Sequence, residues 1–539
     1  MTNSPQTVFE QYKTAADFKA ALGKHGLFEQ NKINERFFVG DQWHGAQNKS
    51  EKPLVRHNVI RRIGDYKIAE ILSAPVELSY CAEGFSQNEK VLKQVSKERS
   101  LIAQNGATVY APVQSENEVA LMVSALNSYR KTTEKRVGFN RIIEQALKDA
   151  YITGTGAVYT YYDPTVKTGL FADKEFGTPI MGDIVCQRVR VEDIYFADPA
   201  ITNLQNQPYI ILAEEKPCSA LAAEAEKFGA SAEFVAALKE KGQEKTTLLT
   251  KLYKQTEEGK TRVFATKVTQ NGVVRPDFSI GVSAYPLCVF SWERREDCIY
   301  GDSEITYLIP NQIAINRMIT AGVWSAMSSG MPLMVVNGDL VGGEITNEPG
   351  QVIKVFGSAE EIGSAVNYIN PPDHSSGYNQ MVETLIYNTL TQSGANEAAL
   401  GDIDLNNTSA IVELREASAK HLAPLKGRFY RFLEDIANVW GDFFFAMYGK
   451  RCLKICDELG VWYFPFNAER YSNLVITVSA LAQESVTKSA QQTIALLQTL
   501  LDKGAINAVQ FLSRMPQGLV PNLSGLISEL EKENSNERI

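Results

Sequence analysis

The chain has 539 residues, and its length, composition and charge already exclude several classes of protein. A single hydrophobic core stops growing at roughly 250–300 residues, so we expect several packed units. With 44% hydrophobic and 22% charged residues, the composition excludes wholesale disorder and collagen-like repeats. The formal net charge of −9 argues against a basic clamp that holds nucleic acid tightly by its phosphates.

Neither a membrane span nor a secretory leader is expected. No stretch approaches the roughly 18 apolar residues that a bilayer span needs. The start MTNSPQTVFEQYK lacks a basic end followed by an apolar run. The seven cysteines are odd in number and scattered, which favours reduced cytosolic thiols over a disulfide framework.

Common catalytic and cofactor-binding signatures do not occur. The sequence has no Walker A motif, no HExxH and no GxSxG. Gly154-Thr-Gly156 is predicted to be a turn between a helix ending near Thr153 and a strand over Ala157–Tyr162. The five histidines show no ligand spacing, and Cys452 and Cys456 lack a second Cys/His pair, so these two are predicted to be packed thiols. We expect no enzymatic activity, no cofactor and no metal.

The segment Trp292-Glu-Arg-Arg-Glu-Asp is charge-rich. In composition it could pass for an active-site loop. We interpret it instead as a solvated or intersubunit loop.

The first half of the chain mixes helices with short strands, which predicts an α+β fold without regular βαβ alternation. Residues 54–72 are predicted to be a helix ended by Pro75, followed by a strand over Val76–Tyr80. Residues 116–153 predict one or two helices, and a further helix is expected at 218–241. The predicted strands are Ala157–Tyr162, Asp183–Val191, Tyr209–Glu214, Leu248–Gln255, Arg262–Thr269 and Leu287–Trp292.

The middle of the chain predicts two helices separated by a strand-containing insert. Apolar residues at helical spacing predict a helix over 303–329, ended by Gly330 and Pro332. Residues 333–370 read as short strands and turns. A second helix follows at 376–393, and its apolar stripe includes Met381, Leu385, Ile386 and Leu390.

A polar loop over 394–409 follows the second helix and contains no Lys or Arg. Asp402, Asp404, Asn406 and Glu413 occupy positions 1, 3, 5 and 12 of a calcium-loop pattern. Position 6 is Asn407 instead of Gly, and helix capping explains the same residues without a cation. We therefore predict no metal here. The polar residues of the loop are Asn396, Glu397, Asp402, Asp404, Asn406 and Asn407.

After this loop, residues 410–448 show an unbroken helical stripe. Pro424 removes one backbone donor near its middle and Gly427 follows, so we predict a kink there. Two ordinary helices that meet at Pro424 are the alternative. Returning strands are predicted at Leu453–Phe466 and Leu474–Val478. Residues 479–536 are predicted to be helical.

The order of these elements resembles the portal protein, or head-to-tail connector, of tailed double-stranded DNA bacteriophages. The resemblance spans about residues 35–530, and the ordered set of segments carries it. The segments are FFVGDQW, PLVRHNVIRRIGDYKIAEILSAPVEL, DAYITGTGAVYTYYDP, VRVEDIYFADPA, PLCVFSWERREDCIYGDSEI, LNNTSAIVELREASAKHLAPLKGRFYRFLEDIANVW and ESVTKSAQQTIALLQTLLDKGAINAVQFLSRMP. Residues 86–116 have no counterpart that we can place.

The resemblance implies an α+β portal fold with the following parts. They are an N-terminal arm and mixed wing (1–302), stem helix 1 (303–330), a small strand-containing clip (331–375), stem helix 2 (376–393), a tunnel loop (394–409), a long kinked helix with returning wing strands (410–478) and a small helical crown (479–539). The clip residues implied to face partner proteins are Asp339, Glu344, Glu348 and Lys354. Met381, Leu385, Ile386 and Leu390 would pack the stem.

The function implied by the resemblance is a dodecameric ring through which viral DNA is packaged and later ejected. The implied partners are other copies of the chain, double-stranded DNA bound without sequence specificity, the terminase large subunit, major capsid and scaffolding proteins, and head-completion or tail adaptor proteins. The implied location is the virion, after assembly in the bacterial cytoplasm, with no membrane partner. A generic oligomeric virion scaffold and a nucleic-acid-processing enzyme of unfamiliar α+β fold are the alternatives.

Overall fold

A computed structural model describes most of the chain. The described residues are 3–44, 54–73, 76–82, 115–171, 179–257, 259–330, 333–342, 354–358, 365–369, 375–395, 420–457, 460–471, 476–482 and 490–515. Within them the α-helices are α1 (Pro5–Ala21), α2 (Leu27–Val39), α3 (Val59–Leu72), α4 (Ser115–Val137), α5 (Phe139–Thr153), α6 (Cys218–Lys227), α7 (Ala232–Lys241), α8 (Glu304–Ser329), α9 (Ser375–Gln392), α10 (Ala423–Met447), α11 (Ala468–Tyr471), α12 (Ala490–Asp502) and α13 (Ala508–Ser513).

The strands alternate with these helices along the chain. They are β1 (Val76–Ala82), β2 (Thr155–Phe171), β3 (Pro179–Val189), β4 (Ile194–Phe196), β5 (Tyr209–Pro217), β6 (Lys245–Glu257), β7 (Lys260–Thr269), β8 (Gly272–Ser279), β9 (Leu287–Ser291), β10 (Glu293–Arg295), β11 (Cys298–Asp302), β12 (Leu333–Val336), β13 (Val341–Gly342), β14 (Lys354–Val355), β15 (Val366–Ile369), β16 (Lys450–Asp457), β17 (Gly460–Asn467) and β18 (Ile476–Ala482).

The described strand pairs are all antiparallel, and together with the helices they make the fold α+β, as predicted. The largest sheet has the order β4-β5-β6-β7-β8. A second sheet has the order β3-β2-β9. The two-stranded pair β1–β18 joins Val76 to Ala482, and so brings distant parts of the chain together.

The main core forms around α10, whose apolar stripe is the one predicted from the sequence. Phe429, Phe432, Trp440 and Phe443 are all nearly inaccessible to solvent. The ring of Trp440 lies 5.2 Å from that of Phe139 at the start of α5, in an edge-to-face arrangement. This helix therefore holds α5 and the three-stranded sheet in one hydrophobic cluster.

The N-terminal helix α1 docks on the five-stranded sheet through a buried lysine. Lys19 Nζ donates hydrogen bonds to the carbonyl oxygens of Val191 (2.7 Å) and Glu192 (3.0 Å). It also lies 3.8 Å from the centre of the Tyr195 ring, a cation–π contact. Burial lowers the pKa of the Lys19 ammonium well below its usual value, and the carboxylates of Asp193 and Glu192 oppose that shift.

Glycine sets two helix boundaries, and the one at Gly154 was predicted. Gly154 ends α5 in the left-handed region, with φ of 86°, and β2 begins at once at Thr155. A Cβ at Gly154 would collide with the carbonyl oxygen of Gly301, so the turn also allows a close approach of two chain segments. Gly138, with φ of 66°, divides residues 115–153 into two helices.

The predicted kink residues lie at the start of α10. Residues 410–419 lie outside the described part of the chain, and a 3-10 turn at Lys420–Leu422 leads into α10. Pro424 occupies the first turn of that helix, and Gly427 lies just beyond it. A first-turn N–H has no intrahelical partner in any case, so proline is accommodated there. The kink in one helix over 410–448 and the alternative of two helices that meet at Pro424 both stay predictions.

Candidate functional site

Helices α8 and α9 form an antiparallel pair, which we call the helical hairpin. Asn311 near the start of α8 donates from Nδ2 to Thr389 Oγ1 near the end of α9, at 3.2 Å. Gly322, in the second half of α8, lies against Tyr378 in the first turn of α9. Strands β12 and β15, in the segment predicted to be the clip, pair with each other at the far end of the hairpin.

A ladder of polar side chains anchors the first half of α8 to the segment that leads into α3. Gln312 Oε1 accepts hydrogen bonds from the backbone N–H groups of Val59 (3.0 Å) and Ile60 (3.3 Å), and its Nε2 donates to the His57 carbonyl oxygen (2.6 Å). The N–H groups at a helix start have no intrahelical acceptors, and the Gln312 side chain supplies an acceptor for two of them.

The ladder continues one turn further along α8. Asn316 Oδ1 accepts from the His57 N–H at 3.0 Å, and its Nδ2 donates to Gln42 Oε1 at 2.6 Å. Gln312 and Asn316 are 1% and 2% exposed, which is unusual for amide side chains and is explained by these bonds. The base of the hairpin is therefore held rigidly on the main body.

The two helices approach closely at Gly322. A Cβ at this position would lie 3.2 Å from the Cβ of Tyr378, whereas a Cβ at Gly427 of α10 would have no neighbour within 4 Å. Both glycines lie inside helices, where Ala is favoured over Gly by about 0.5–1 kcal/mol when space allows.

We expect Gly427→Ala to stabilise α10 by about 0.5–1 kcal/mol, since the new methyl group meets open space. Gly322→Ala should not show this stabilisation. Its methyl group pushes α8 away from α9, so the local stability of the two helices should fall. Amide hydrogen exchange in each helix measures both effects. Equal stabilisation by the two changes would contradict the close approach.

The outer surface of the hairpin and clip is unusually apolar. Among the described residues fourteen large apolar side chains are well exposed, and eight of them lie between residues 307 and 387. On the helices Tyr307 is 63% exposed, Met381 55% and Tyr387 54%. The complete set is Tyr307, Trp324, Met327, Met334, Val335, Phe356, Met381 and Tyr387. Clustering of this kind marks an interaction surface.

The hairpin is also poor in charge. Only Glu304, Arg317 and Glu383 are charged among the 26 residues of α8 and the 18 of α9, while charged residues make up 22% of the chain. Surface helices ordinarily carry charged residues on the face opposite the core. Depletion of charge is the compositional signal of a surface that becomes buried between proteins.

The clip consists of short antiparallel pairs. Strand β12 pairs with β15, and β13 with β14 so that Gly342 lies opposite Lys354. Asp339 lies in the turn that begins at Asn337, whose Oδ1 accepts from the Asp339 N–H at 3.1 Å. Asp339 and Lys354 are exposed, and their contact with partner proteins stays a prediction. Glu344 and Glu348 lie outside the described residues.

The predicted stem-packing residues divide into two groups. Leu390 is buried, and Leu385 and Ile386 are half-buried against the main core. Met381 points away from that core and is more than half exposed. Tyr307 and Tyr387 belong to the same exposed surface, and sequence reasoning missed both because they do not extend the apolar stripe. The low charge of both helices was the signal that could have found them.

The predicted channel loop is not among the described residues. Asn396, Glu397, Asp402, Asp404, Asn406 and Asn407 all lie in the segment 396–419. Ala395 after α9 and Lys420 before α10 are the described residues that flank this segment.

Other features that a functional site could use are few in the described ranges. No group of three or more His, Cys, Asp or Glu side chains there is placed to hold a metal ion. None of the helices in the same ranges has both the length and the apolar character needed to cross a bilayer. Cys452 is buried, as predicted. For Cys456 only the backbone, in β16, is described.

No protein-family model matches the chain, and no curated protein sequence matches it. Two solved structures resemble it over most of its length. A chain from the neck of an empty gene transfer agent (GTA) particle, computed with C6 symmetry, has a TM-score of 0.31 and 10% identity, covering 88% of this chain and 97% of that one. A chain from the virion of a native GTA particle has a TM-score of 0.27 and 10% identity, covering 91% and 98%. TM-scores and identities this low do not indicate a function for the chain.

Proposed function

We propose that this chain is a portal protein, the non-enzymatic subunit of a ring-shaped DNA channel at one vertex of a tailed-phage capsid. The apolar, charge-poor surface of the helical hairpin is the observation that carries the proposal. The base of the hairpin is pinned by Gln312 and Asn316, while Met381 and Tyr387 extend outward without cover from the described part of the same chain.

A second copy of the chain is the partner that this surface fits. The exposed side chains lie on both helices and on the clip, so one copy can offer Met381 and Tyr387 while its neighbour offers Tyr307. Contacts between two different patches are heterologous and close into a ring when the rotation between copies closes. Twelve subunits is the number that the family resemblance implies.

In this arrangement the loop 394–409 lines the narrowest part of the channel. It contains three acidic residues and no Lys or Arg, so it would contact DNA through polar groups without holding phosphates by counterion release. The net charge of −9 suits a channel through which DNA must slide in both directions.

The channel proposal is tested by deleting Asn396–Leu400. Rings should still assemble, because the deletion leaves both hairpin helices intact, while nuclease-protected DNA in particles should fall sharply. A matched five-residue deletion of 172–176, between β2 and β3, should leave packaging unchanged. Normal packaging and retention by the first deletion would contradict the assignment.

We propose that the clip is the docking point for the terminase large subunit and later for head-completion and tail adaptor proteins. It lies at the end of the hairpin farthest from the anchored base, and Met334, Val335 and Phe356 are exposed there. Major capsid and scaffolding proteins would contact the wing. The location would be the virion, after assembly in the host cytoplasm.

A photoactivatable crosslinker on Asp339→Cys should capture terminase during packaging and an adaptor protein in mature particles. The same group on Glu240→Cys, an exposed position of α7 far from the clip in sequence, serves as the control. Crosslinks from position 339 to the major capsid protein alone would contradict this role.

A further inference from the structure

An arginine-lined cleft lies between α10 and the segment that the sequence marks as charge-rich. Its volume is about 740 Å³, and one wall is a single face of α10 that presents Arg428, Arg431 and Asp435. The opposite wall includes Arg294 on β10. Three guanidinium groups therefore share one cleft.

Arg428 is held with part of its hydrogen-bonding capacity unused. Its Nη2 donates to the Trp292 carbonyl oxygen at 2.7 Å. Its Nε is buried and has no hydrogen-bond partner among the described residues. A buried donor without an acceptor is destabilising.

Neighbouring positive charges also make the surroundings of the Arg428 guanidinium unfavourable. Burial lowers the pKa of the Arg428 guanidinium, Glu293 opposes the shift, and Arg294 and Arg431 add to it. The pKa of the nearby Asp435 carboxyl is raised by burial and by Glu434, against the effect of Arg431.

Other arginines in the described part of the chain are paired with carboxylates. Arg295, next to Arg294 in the same hairpin, pairs with Asp302, and Arg190 pairs with Asp193 at 2.9 Å. Neither Arg294 nor Arg431 has an ion-pair partner within the described ranges. Asp435 and Asp442 also line the cleft, and Asp442 already accepts from Ser283 Oγ and from the Ala284 N–H. The cleft therefore holds three guanidinium groups against two carboxylates.

We propose that this cleft binds a phosphate group, either as a free anion or as part of a polynucleotide. Arginine forks match the oxygen geometry of phosphate and donate two bonds at a time. Arg428 would present its guanidinium group from the cleft floor, and the exposed Arg294 and Arg431 would close over the ligand. Thr202 and Asn203 in the wall offer further polar groups. None of the residues that line the cleft belongs to the proposed channel loop.

Calorimetric titration of inorganic phosphate into the full chain, at ionic strength held constant with chloride, tests the proposal. We expect saturable binding that weakens roughly tenfold in Arg431→Gln and in Arg294→Gln, since each loses a bidentate contact. Arg428→Gln should weaken it further. Arg317→Gln, a single exposed arginine on α8, should bind as the parent chain does.

A short single-stranded oligonucleotide, titrated in parallel, distinguishes the two sources of the phosphate. Binding of both ligands with the same arginine dependence supports a site for a free anion. Binding of the oligonucleotide alone, again lost in Arg431→Gln, supports a site for a polynucleotide backbone. No saturable binding of either ligand, or binding equally strong in Arg431→Gln and Arg294→Gln, would overturn the proposal. Ring assembly does not enter these readouts, so failure here leaves the portal proposal intact.

Discussion

The double variant Met381→Glu, Tyr387→Glu is expected to fold normally and to lose ring assembly. Both side chains are more than half exposed in the single chain, so their replacement removes little intramolecular packing. Between copies the change removes apolar area worth roughly 25 cal/mol per Å². It also forces two carboxylates per subunit into a desolvated interface, which costs several kcal/mol unless each is paired. Light scattering at micromolar concentration should report the mass of a single chain.

Val39→Glu is the matched control. Val39 is 62% exposed at the end of α2 and lies outside the helical hairpin, so the same kind of substitution should leave assembly unchanged. Circular dichroism should be the same for all three proteins. Full assembly by the double variant would show that the hairpin surface is not the contact between copies.

Gln312→Leu is expected to loosen the attachment of the hairpin base to the main body. The length and volume of the side chain at position 312 change little. Leucine cannot accept from the Val59 and Ile60 N–H groups or donate to the His57 carbonyl oxygen. The Val59 N–H keeps a bond of 3.0 Å to the His57 carbonyl oxygen, whereas the Ile60 N–H loses its acceptor. A buried donor without an acceptor costs about 1–3 kcal/mol. Amide exchange at the start of α3 should therefore accelerate by more than tenfold, the equivalent of about 1.4 kcal/mol.

Gln380→Leu provides the comparison, because Gln380 is an exposed glutamine on α9. Its replacement should leave exchange at the start of α3 unchanged. Unchanged protection in Gln312→Leu would mean that the polar ladder does not fix the hairpin on the main body.

Local patterns predicted most of the elements. The stripe that runs through Phe429, Phe432, Trp440 and Phe443 has helical spacing, and it is buried as expected. Alternation and flanking turn residues likewise predicted six of the eight strands in the two larger sheets, but not β4 or β8. These features depend on neighbours along the chain, which a sequence displays directly.

Features that depend on distant partners were not predictable. Gln312 caps a helix more than 250 residues earlier, and nothing in its own surroundings indicates this. The Tyr448 hydroxyl likewise donates to the carboxylate of the buried Asp183, which lies 265 residues earlier in the chain. The 3-10 turn before Pro424 is likewise not indicated by the apolar stripe, which continues through it.

Electron microscopy of the purified full chain tests the central claim most directly. Rings with an axial hole, made of a fixed number of copies, are the result that the hairpin surface predicts. Particles of single-chain size at micromolar concentration, with no rings in any preparation, would contradict it.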